Sequence, residues 1–296
     1  MEHYSAESCT TMNYVMDKEL AASTDALITL ALAEDLQGGT DITSEATIAA
    51  NQIGVAQYHL RAPGVVAGIP MAIAVLNKVG VTDIYAPITC AHENEAGTLV
   101  LEARGNVRAL MLAERTSLNF LTHLSGIATL TRAWVDAVAD STTQIRDTRK
   151  TTPGWRFLEK YAVRMGGGVN HRMSLSDAAL IKDNHIVAAG GVLQAFAKVR
   201  ALHPHSEIEV EVDTLQQLQE VLQGDPDLVL LDNMNVEMCR QAVAIVNGRT
   251  KLEASGGLTI ENAAAYAATG VDYLAVGALT HSAKVLDIGL DLRMEK

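Results

Sequence analysis

One pattern recurs between residues 143 and 281, and it limits the fold more than any other feature of the chain. A short apolar run ends in a polar or small residue, and a helical stretch usually follows. The runs end near Asp147 (TTQIRD), Lys182 (AALIK), Val212 (IEVEV), Asp232 (LVLLD), Ala254 (KLEA) and Val276 (YLAV), with His171 to Met173 as a candidate short extra strand. Thr214, Asn235 and Thr259 stand where helix N-caps belong, and Gly224, Gly248 and Gly270 stand just past the ends of the same helices. Units of about twenty residues leave room for a helical crossover, so the strands are parallel and helices cover the sheet. The repeat predicts an incomplete α/β barrel of six or seven parallel strands, with an open doubly wound sheet as the alternative. In both architectures ligands bind at the carboxyl ends of the strands.

The first third lacks this repeat. ALITLALAEDL after Asp25 is helical, IGVAQYHLRAPGVV (53–66) is a strand followed by a Pro-Gly turn, MAIAVLNKVG is helical, and LVLEARGNV (99–107) is a strand. Residues 109–139 form a long helical region punctuated at Ser125-Gly126. Strands and helices mixed in this way suggest an α+β layer domain.

Charge is unevenly placed. Residues 146–172 carry Arg146, Arg149, Lys150, Arg156, Lys160, Arg164 and Arg172 against Asp147 and Glu159, a local charge of +5 in a chain of formal net charge −12. The overall sign argues against a nucleic-acid partner, which selects a broad basic surface. No segment has the roughly 18 uncharged apolar residues of a membrane span, and the first residues lack the pattern of a secretory signal, so the expected location is the cytoplasm. Cys9, Cys90 and Cys239 lie far apart and form no zinc or disulfide pattern, and Cys239 reads as core.

Part of the basic cluster has a plain explanation. Residues 155–164 read as a short amphipathic helix on which Glu159 and Lys160 are surface charges. Arg149, Lys150, His171, Arg172 and Lys182 instead adjoin strand-like runs and are candidate anion ligands. Glu211 and Asp232 lie at the ends of the next strands, and Glu209, Glu211 and Asp213 share one strand face. A carboxylate facing the interior of a parallel sheet needs a cation or donors, so Glu211 and Asp232 are candidates for Mg²⁺ or sugar hydroxyls. Ser255-Gly256-Gly257 precedes the helix capped by Thr259, and Gly277-Ala278 repeats the arrangement one unit later with His281 a turn beyond. Small residues after two late strands suit a phosphate. The Gly166-Gly167-Gly168 run reads equally as a loop or a phosphate cradle.

With these motifs in order, the chain resembles the quinolinate phosphoribosyltransferase (decarboxylating), or nicotinate-nucleotide pyrophosphorylase, family. The resemblance rests on AERTSLNFLTHLSGIATLT, DTRKTTPGWRFLEKYAV, GGGVNHRMSLSDAALIKDNH, EVEVDT, LVLLDNM, LEASGGLT and GVDYLAVGALTHS, and extends from about Leu27 to about Asp287. It implies an N-terminal α/β sandwich over residues 1–128, to which the tail 283–296 returns, and a barrel over 129–282. It also implies transfer of phosphoribosyl from phosphoribosyl pyrophosphate to quinolinate, with decarboxylation to nicotinate mononucleotide. Lys150, Lys182, Glu211 and Asp232 are then the catalytic residues. Arg149, His171, Arg172 and Lys182 face quinolinate, Lys150, with Arg149 nearby, faces the pyrophosphate, and Thr148 is a further substrate-binding residue. Ser255, Gly256, Gly257, Gly277 and His281 take the 5′-phosphate, with Val276 and Ala278 as further substrate-binding residues. Glu211 and Asp232 hold Mg²⁺ directly or through water. The family further implies a homodimer or larger homo-oligomer in which Arg115 completes the neighbour's pocket; the residues alone give Arg115 only as a surface arginine on a helix. The alternatives are a phosphoribosyltransferase for another base, a phosphosugar aldolase with Lys182 as Schiff-base amine, and a non-catalytic sugar-phosphate sensor.

Overall fold

A computed structural model describes residues 16–88 and 92–295. The chain divides into two compact units, one holding residues up to Arg132, Thr151–Gly167 and the residues from Ser282 on, the other Ala133–Lys150 and Gly168–His281. Cys9 and Cys90 lie outside the described residues, and Cys239 is buried.

The first unit runs α1 (Lys18–Leu36), α2 (Ile42–Thr47), β1 (Ile53–Leu60), β2 (Gly64–Val65), α3 (Ile69–Lys78), β3 (Asp83–Tyr85), β4 (Glu93–Asn94), β5 (Leu99–Asn106), α4 (Val107–Ala137, whose residues from Ala133 on belong to the second unit) and α5 (Arg156–Met165). Helix α1 starts ahead of Asp25, because Asp17 accepts the Leu20 N–H at 2.8 Å and caps it there. In β1 every second residue is buried, and Tyr58, on that face, hydrogen-bonds Ser117 of α4 at 2.8 Å. Helix α4 is unbroken for 31 residues, passing through Ser125-Gly126 where the sequence suggested punctuation. The Ser125 hydroxyl donates to the Ala67 carbonyl and accepts the Ala67 N–H, both at 3.0 Å, so its polarity is spent on a neighbouring segment rather than on ending the helix.

Helix α5 corrects another expectation. Glu159 and Lys160 are fully buried, not surface charges. Glu159 accepts the Thr152 N–H at 3.1 Å and meets His123 of α4 at 3.0 Å, which compensates its removal from water. Gly166 caps the end of α5, so the glycine run begins as a helix terminus.

The second unit alternates β6 (Gln144–Arg146), β7 (Ala179–Ile181), α6 (Asp183–Ala189), α7 (Val192–Leu202), β8 (Ile208–Val212), α8 (Leu215–Val221), β9 (Leu228–Asp232), α9 (Val236–Val246), β10 (Lys251–Ser255), α10 (Ile260–Ala267), β11 (Tyr273–Ala275) and α11 (Ala278–His281). Thr214, Asn235 and Thr259 are the N-caps of α8, α9 and α10. The six strands form one parallel sheet in the order β6-β11-β10-β9-β8-β7. From β7 to β11 each strand lies beside its successor, and β11 then lies beside β6, the first. That circular order belongs to a barrel opened between β6 and β7, not to a doubly wound sheet, which would reverse direction. The extra strand expected at His171 to Met173 does not form; ahead of it lies one isolated parallel bridge, Val169 against Arg146.

After α11 the chain returns to the first unit. There β12 (Ile288–Met294) pairs antiparallel with β1 along its length, giving a four-stranded sheet in the order β12-β1-β5-β3.

Candidate active site

Parallel register puts the chemistry-bearing residues on one rim of the second unit. Ser255 on β10 lies opposite Asp232 on β9 and Ala275 on β11, and Ala275 lies opposite Arg146 at the end of β6. Thr148, Arg149 and Lys150 follow β6, Lys182 follows β7, Glu211 is the fourth residue of β8, and Val276 and Gly277 follow β11.

Beyond β10, Gly256 and Gly257 have φ of +86° and +64°, and a side chain at Gly256 would run into Asn233 Oδ1. Glycine is therefore required at Gly256 for backbone shape, and the same turn leads to the N-terminus of α10. Asn233 itself donates its N–H to the Ser255 carbonyl at 2.8 Å and its side-chain amide to Asp232 at 2.7 Å, tying the glycine turn to the carboxylate beside it. On the other flank, the Thr280 hydroxyl donates to the Lys150 carbonyl at 2.8 Å. A Cβ at Gly277 would stand 2.9 Å from Lys150 Cδ and 3.2 Å from His281 Nε2, so Lys150 and His281 border the second seat of small residues. Thr148 accepts the Lys150 N–H at 3.0 Å and fixes the turn between them.

The basic side forms a second group. Arg149 lies close enough to Arg172 that, after burial, its charge is the next cause holding Arg172 below the usual arginine value. The Nε of Arg149 is buried with no hydrogen-bond partner among the described residues. Arg172 donates through Nη1 to the Ala178 carbonyl at 2.7 Å. Lys182 is ion-paired with Glu211.

Beneath the rim the interior is polar. His171, 8% exposed, places Nε2 2.8 Å from Glu209 and 3.5 Å from Glu253, which are 3% and 0% exposed. Arg146 Nη1 meets the other Glu253 oxygen at 2.9 Å and its guanidinium lies 4.6 Å over the Tyr273 ring. Burial pushes both carboxyls up to about 7; Arg146 pulls Glu209 back down, whereas Glu209 pushes Glu253 further up. Asp147, fully buried, accepts the His171 N–H at 2.9 Å and a hydrogen bond from the Asn170 amide. Sequence reasoning placed Glu209 on the right strand face but gave it no role, and it missed Glu253, Arg146, Asp147 and Asn233. For Glu253 a signal was present, since it alternates with Leu252 and Ala254 and shares the strand of Ser255.

Arg115 belongs to the first unit, exposed on α4. The other expected site residues all belong to the second unit.

Comparison with known proteins decides the family. The quinolinate phosphoribosyl transferase C-terminal domain pattern matches residues 127–291, and the N-terminal domain pattern of the same family matches residues 41–125. The chain belongs to the quinolinate phosphoribosyl transferase family. It is 51% identical over 282 residues, 93% of this chain and 99% of the relative, to the nicotinate-nucleotide pyrophosphorylase [carboxylating] of Mycobacterium leprae. It is 39% identical to the quinolinate phosphoribosyltransferase [decarboxylating] 1b of Nicotiana tabacum, across 91% of this chain and 82% of that one. The crystal structure of NadC from Streptococcus pyogenes superposes with a TM-score of 0.90 at 38% identity, covering 96% of this chain and all of that one. The incomplete parallel barrel with a sheet-containing N-terminal unit is thus the fold of the quinolinate phosphoribosyl transferase family.

Proposed function

We infer that the chain is a decarboxylating quinolinate phosphoribosyltransferase, a pentosyltransferase of de novo NAD biosynthesis. It joins quinolinate to phosphoribosyl pyrophosphate and yields nicotinate mononucleotide, pyrophosphate and CO₂. The observation that carries this reading is the Arg149–Arg172 pair. The Arg149 charge weighs on Arg172, and the Arg149 Nε is buried without an acceptor among the described residues. A ligand with two carboxylates relieves both costs.

In the reaction, Arg149 and Arg172 grip the quinolinate carboxylates, with Lys182 at the rim. The backbone around Ser255, Gly256 and Gly257, and around Val276, Gly277 and Ala278, cradles the 5′-phosphate with His281 at its border. Lys150 faces the pyrophosphate, held by Thr148 and Thr280. Glu211 and Asp232 are half-buried carboxylates at the ends of adjacent strands, a hard-oxygen donor set that suits Mg²⁺, directly or through water, as well as ribose hydroxyls. When bound, Mg²⁺ supplies positive charge to the departing pyrophosphate. As the ribose carbon to pyrophosphate bond breaks, the two carboxylates stabilise the positive charge left on that carbon. The quinolinate nitrogen attacks the carbon, and the resulting pyridinium draws in the electron pair of the C2–carboxylate bond. CO₂ leaves, and C2 takes a proton.

The assembly is a homodimer or larger homo-oligomer in which Arg115 reaches the quinolinate of a second copy. Among the described residues no helix is long and apolar enough to cross a membrane, and we place the activity in the cytoplasm. The aldolase reading is disfavoured because the Lys182 amine is engaged by Glu211. The test is release of labelled CO₂ from carboxyl-labelled quinolinate with Mg²⁺. Release that requires phosphoribosyl pyrophosphate is expected. Turnover of nicotinate in its place, with quinolinate inert, would move the chain to another base.

A further inference from the structure

The backbone that joins β9 to α9 is anchored at three successive residues. The Asn233 N–H donates to the Ser255 carbonyl at 2.8 Å, one step beyond the paired ends of β9 and β10. The carbonyl of the buried Met234 accepts the Tyr266 hydroxyl of α10 at 3.1 Å. Asn235 then caps α9 by accepting the Met238 N–H at 2.9 Å. The course of this loop is therefore set without the Asn233 side chain, which leaves the choice of residue at Asn233 to be explained by something else.

Asn233 has a left-handed backbone, with φ of +53°. Glycine adopts that conformation at least cost, and Asn and Asp follow because their short polar side chains bond locally. The neighbours choose among these three. Asn233 Nδ2 donates to Asp232 Oδ2 at 2.7 Å, a bond that glycine cannot make. A carboxylate only accepts, so an aspartate here would set acceptor against acceptor and charge against charge. The other end of the amide lies against the glycine turn, where a Cβ at Gly256 would run into Asn233 Oδ1. The amide thus fills the gap between the half-buried Asp232 carboxylate and the turn after β10. Among the described residues Asp232 Oδ1 takes no hydrogen bond, so the carboxylate is held by one oxygen and offers the other.

We propose that Asn233 is a positioning residue: its amide turns the Asp232 carboxylate so that Oδ1 is the oxygen offered to phosphoribosyl pyrophosphate, and holds that carboxylate at a fixed distance from the glycine turn that receives the phosphate of the same molecule. The proposal rests on the reading of Asp232 and Ser255-Gly256-Gly257 as two contacts of one sugar phosphate. Two groups that hold different parts of one ligand reinforce each other only when their spacing is set before the ligand arrives. A carboxylate free to rotate would lose part of that advantage each time it was ordered.

Calorimetry on the full chain with Mg²⁺ tests this, with phosphoribosyl pyrophosphate, inorganic phosphate and quinolinate titrated separately. Asn233→Gly keeps the left-handed backbone and the bond to Ser255 and removes only the amide. Its affinity for phosphoribosyl pyrophosphate should fall by about tenfold or more, the worth of a hydrogen bond to a charged group, while phosphate and quinolinate stay within about twofold of wild type. Asn233→Asp keeps the size of the side chain and reverses the polarity of the contact, and it should lose at least as much. Asp232→Ala also weakens phosphoribosyl pyrophosphate binding, and adding Asn233→Gly to it should cost little more, because the amide acts through that carboxylate. Additive losses in this pair would overturn the proposal, as would equal loss of all three ligands in Asn233→Gly or wild-type affinity in either Asn233 variant. Failure of the functional reading looks different: the wild type itself then binds no phosphoribosyl pyrophosphate, and the proposal falls with that reading.

Discussion

Arg149 presents a buried Nε–H with nothing to receive it among the described residues, beside a second guanidinium that repels it. A lysine there keeps the charge and loses the fork. Arg149→Lys should therefore lower kcat/KM for quinolinate by about 10- to 100-fold, the worth of a charge-assisted hydrogen bond, while leaving KM for phosphoribosyl pyrophosphate nearly unchanged. Steady-state kinetics with each substrate varied in turn decides it, and an equal loss for both would contradict the assignment. Glu253 makes a prediction of a different kind. Burial, and then Glu209, raise its carboxyl from 4.5 to about 7, so the folded chain holds this proton longer than the unfolded chain does. The stability it contributes is complete below 4.5 and is lost as pH rises through about 7. Because Asp41 and Glu295 are shifted the opposite way, the difference between wild type and Glu253→Gln is the quantity to follow. Between those pH values the Tm of the wild type should fall relative to that of the variant, and parallel pH profiles would remove Glu253 as the cause. The exposed rim was legible because charges next to apolar runs stand out. The layer beneath was not, because a sequence does not state which of two strand faces is the filled interior of a barrel.

At the scale of elements, the caps and strand ends of the second unit could be read directly. Thr214, Asn235 and Thr259 offer side-chain acceptors to free helix N–H groups, a local effect that needs no tertiary information. What could not be read depends on neighbours. Ser125-Gly126 looks like a break, yet α4 continues through it because Ser125 bonds Ala67 and the missing side chain lets the Lys284 carbonyl approach. Gly126→Ala would push a methyl into that carbonyl oxygen, and overpacking of this kind costs about 1–3 kcal/mol. A lowered Tm is expected, and an unchanged one would mean that the returning tail is not held against α4. Glycine at Gly256 is constrained twice, by positive φ and by Asn233. Gly256→Ala should weaken binding of inorganic phosphate and raise KM for phosphoribosyl pyrophosphate, with quinolinate affinity largely kept. Calorimetry with the two ligands separates the outcomes, and loss of quinolinate binding alone would put the phosphate seat elsewhere.

The whole molecule poses the question that a single copy of the chain leaves open, which is what Arg115 does. It is an exposed arginine on α4, in the first unit, whereas the glycine turns after β10 and β11, the carboxylates and the Arg149–Arg172 pair belong to the second. An exposed helix arginine is ordinary surface by every local criterion, which is why the residues alone gave it no role. If Arg115 serves a neighbouring copy, two separately inactive variants must rescue one another. Arg115→Ala chains keep Lys150, and Lys150→Ala chains keep Arg115. Mixing them and allowing subunits to re-form makes about half the dimers mixed, each with one intact site of two, so about a quarter of wild-type activity should return. The recovered activity should also rise with time as subunits exchange. Activity that stays at the sum of the two variants would place Arg115 in its own chain's chemistry or outside the site altogether, whereas recovery near a quarter requires that a complete pocket be drawn from two copies.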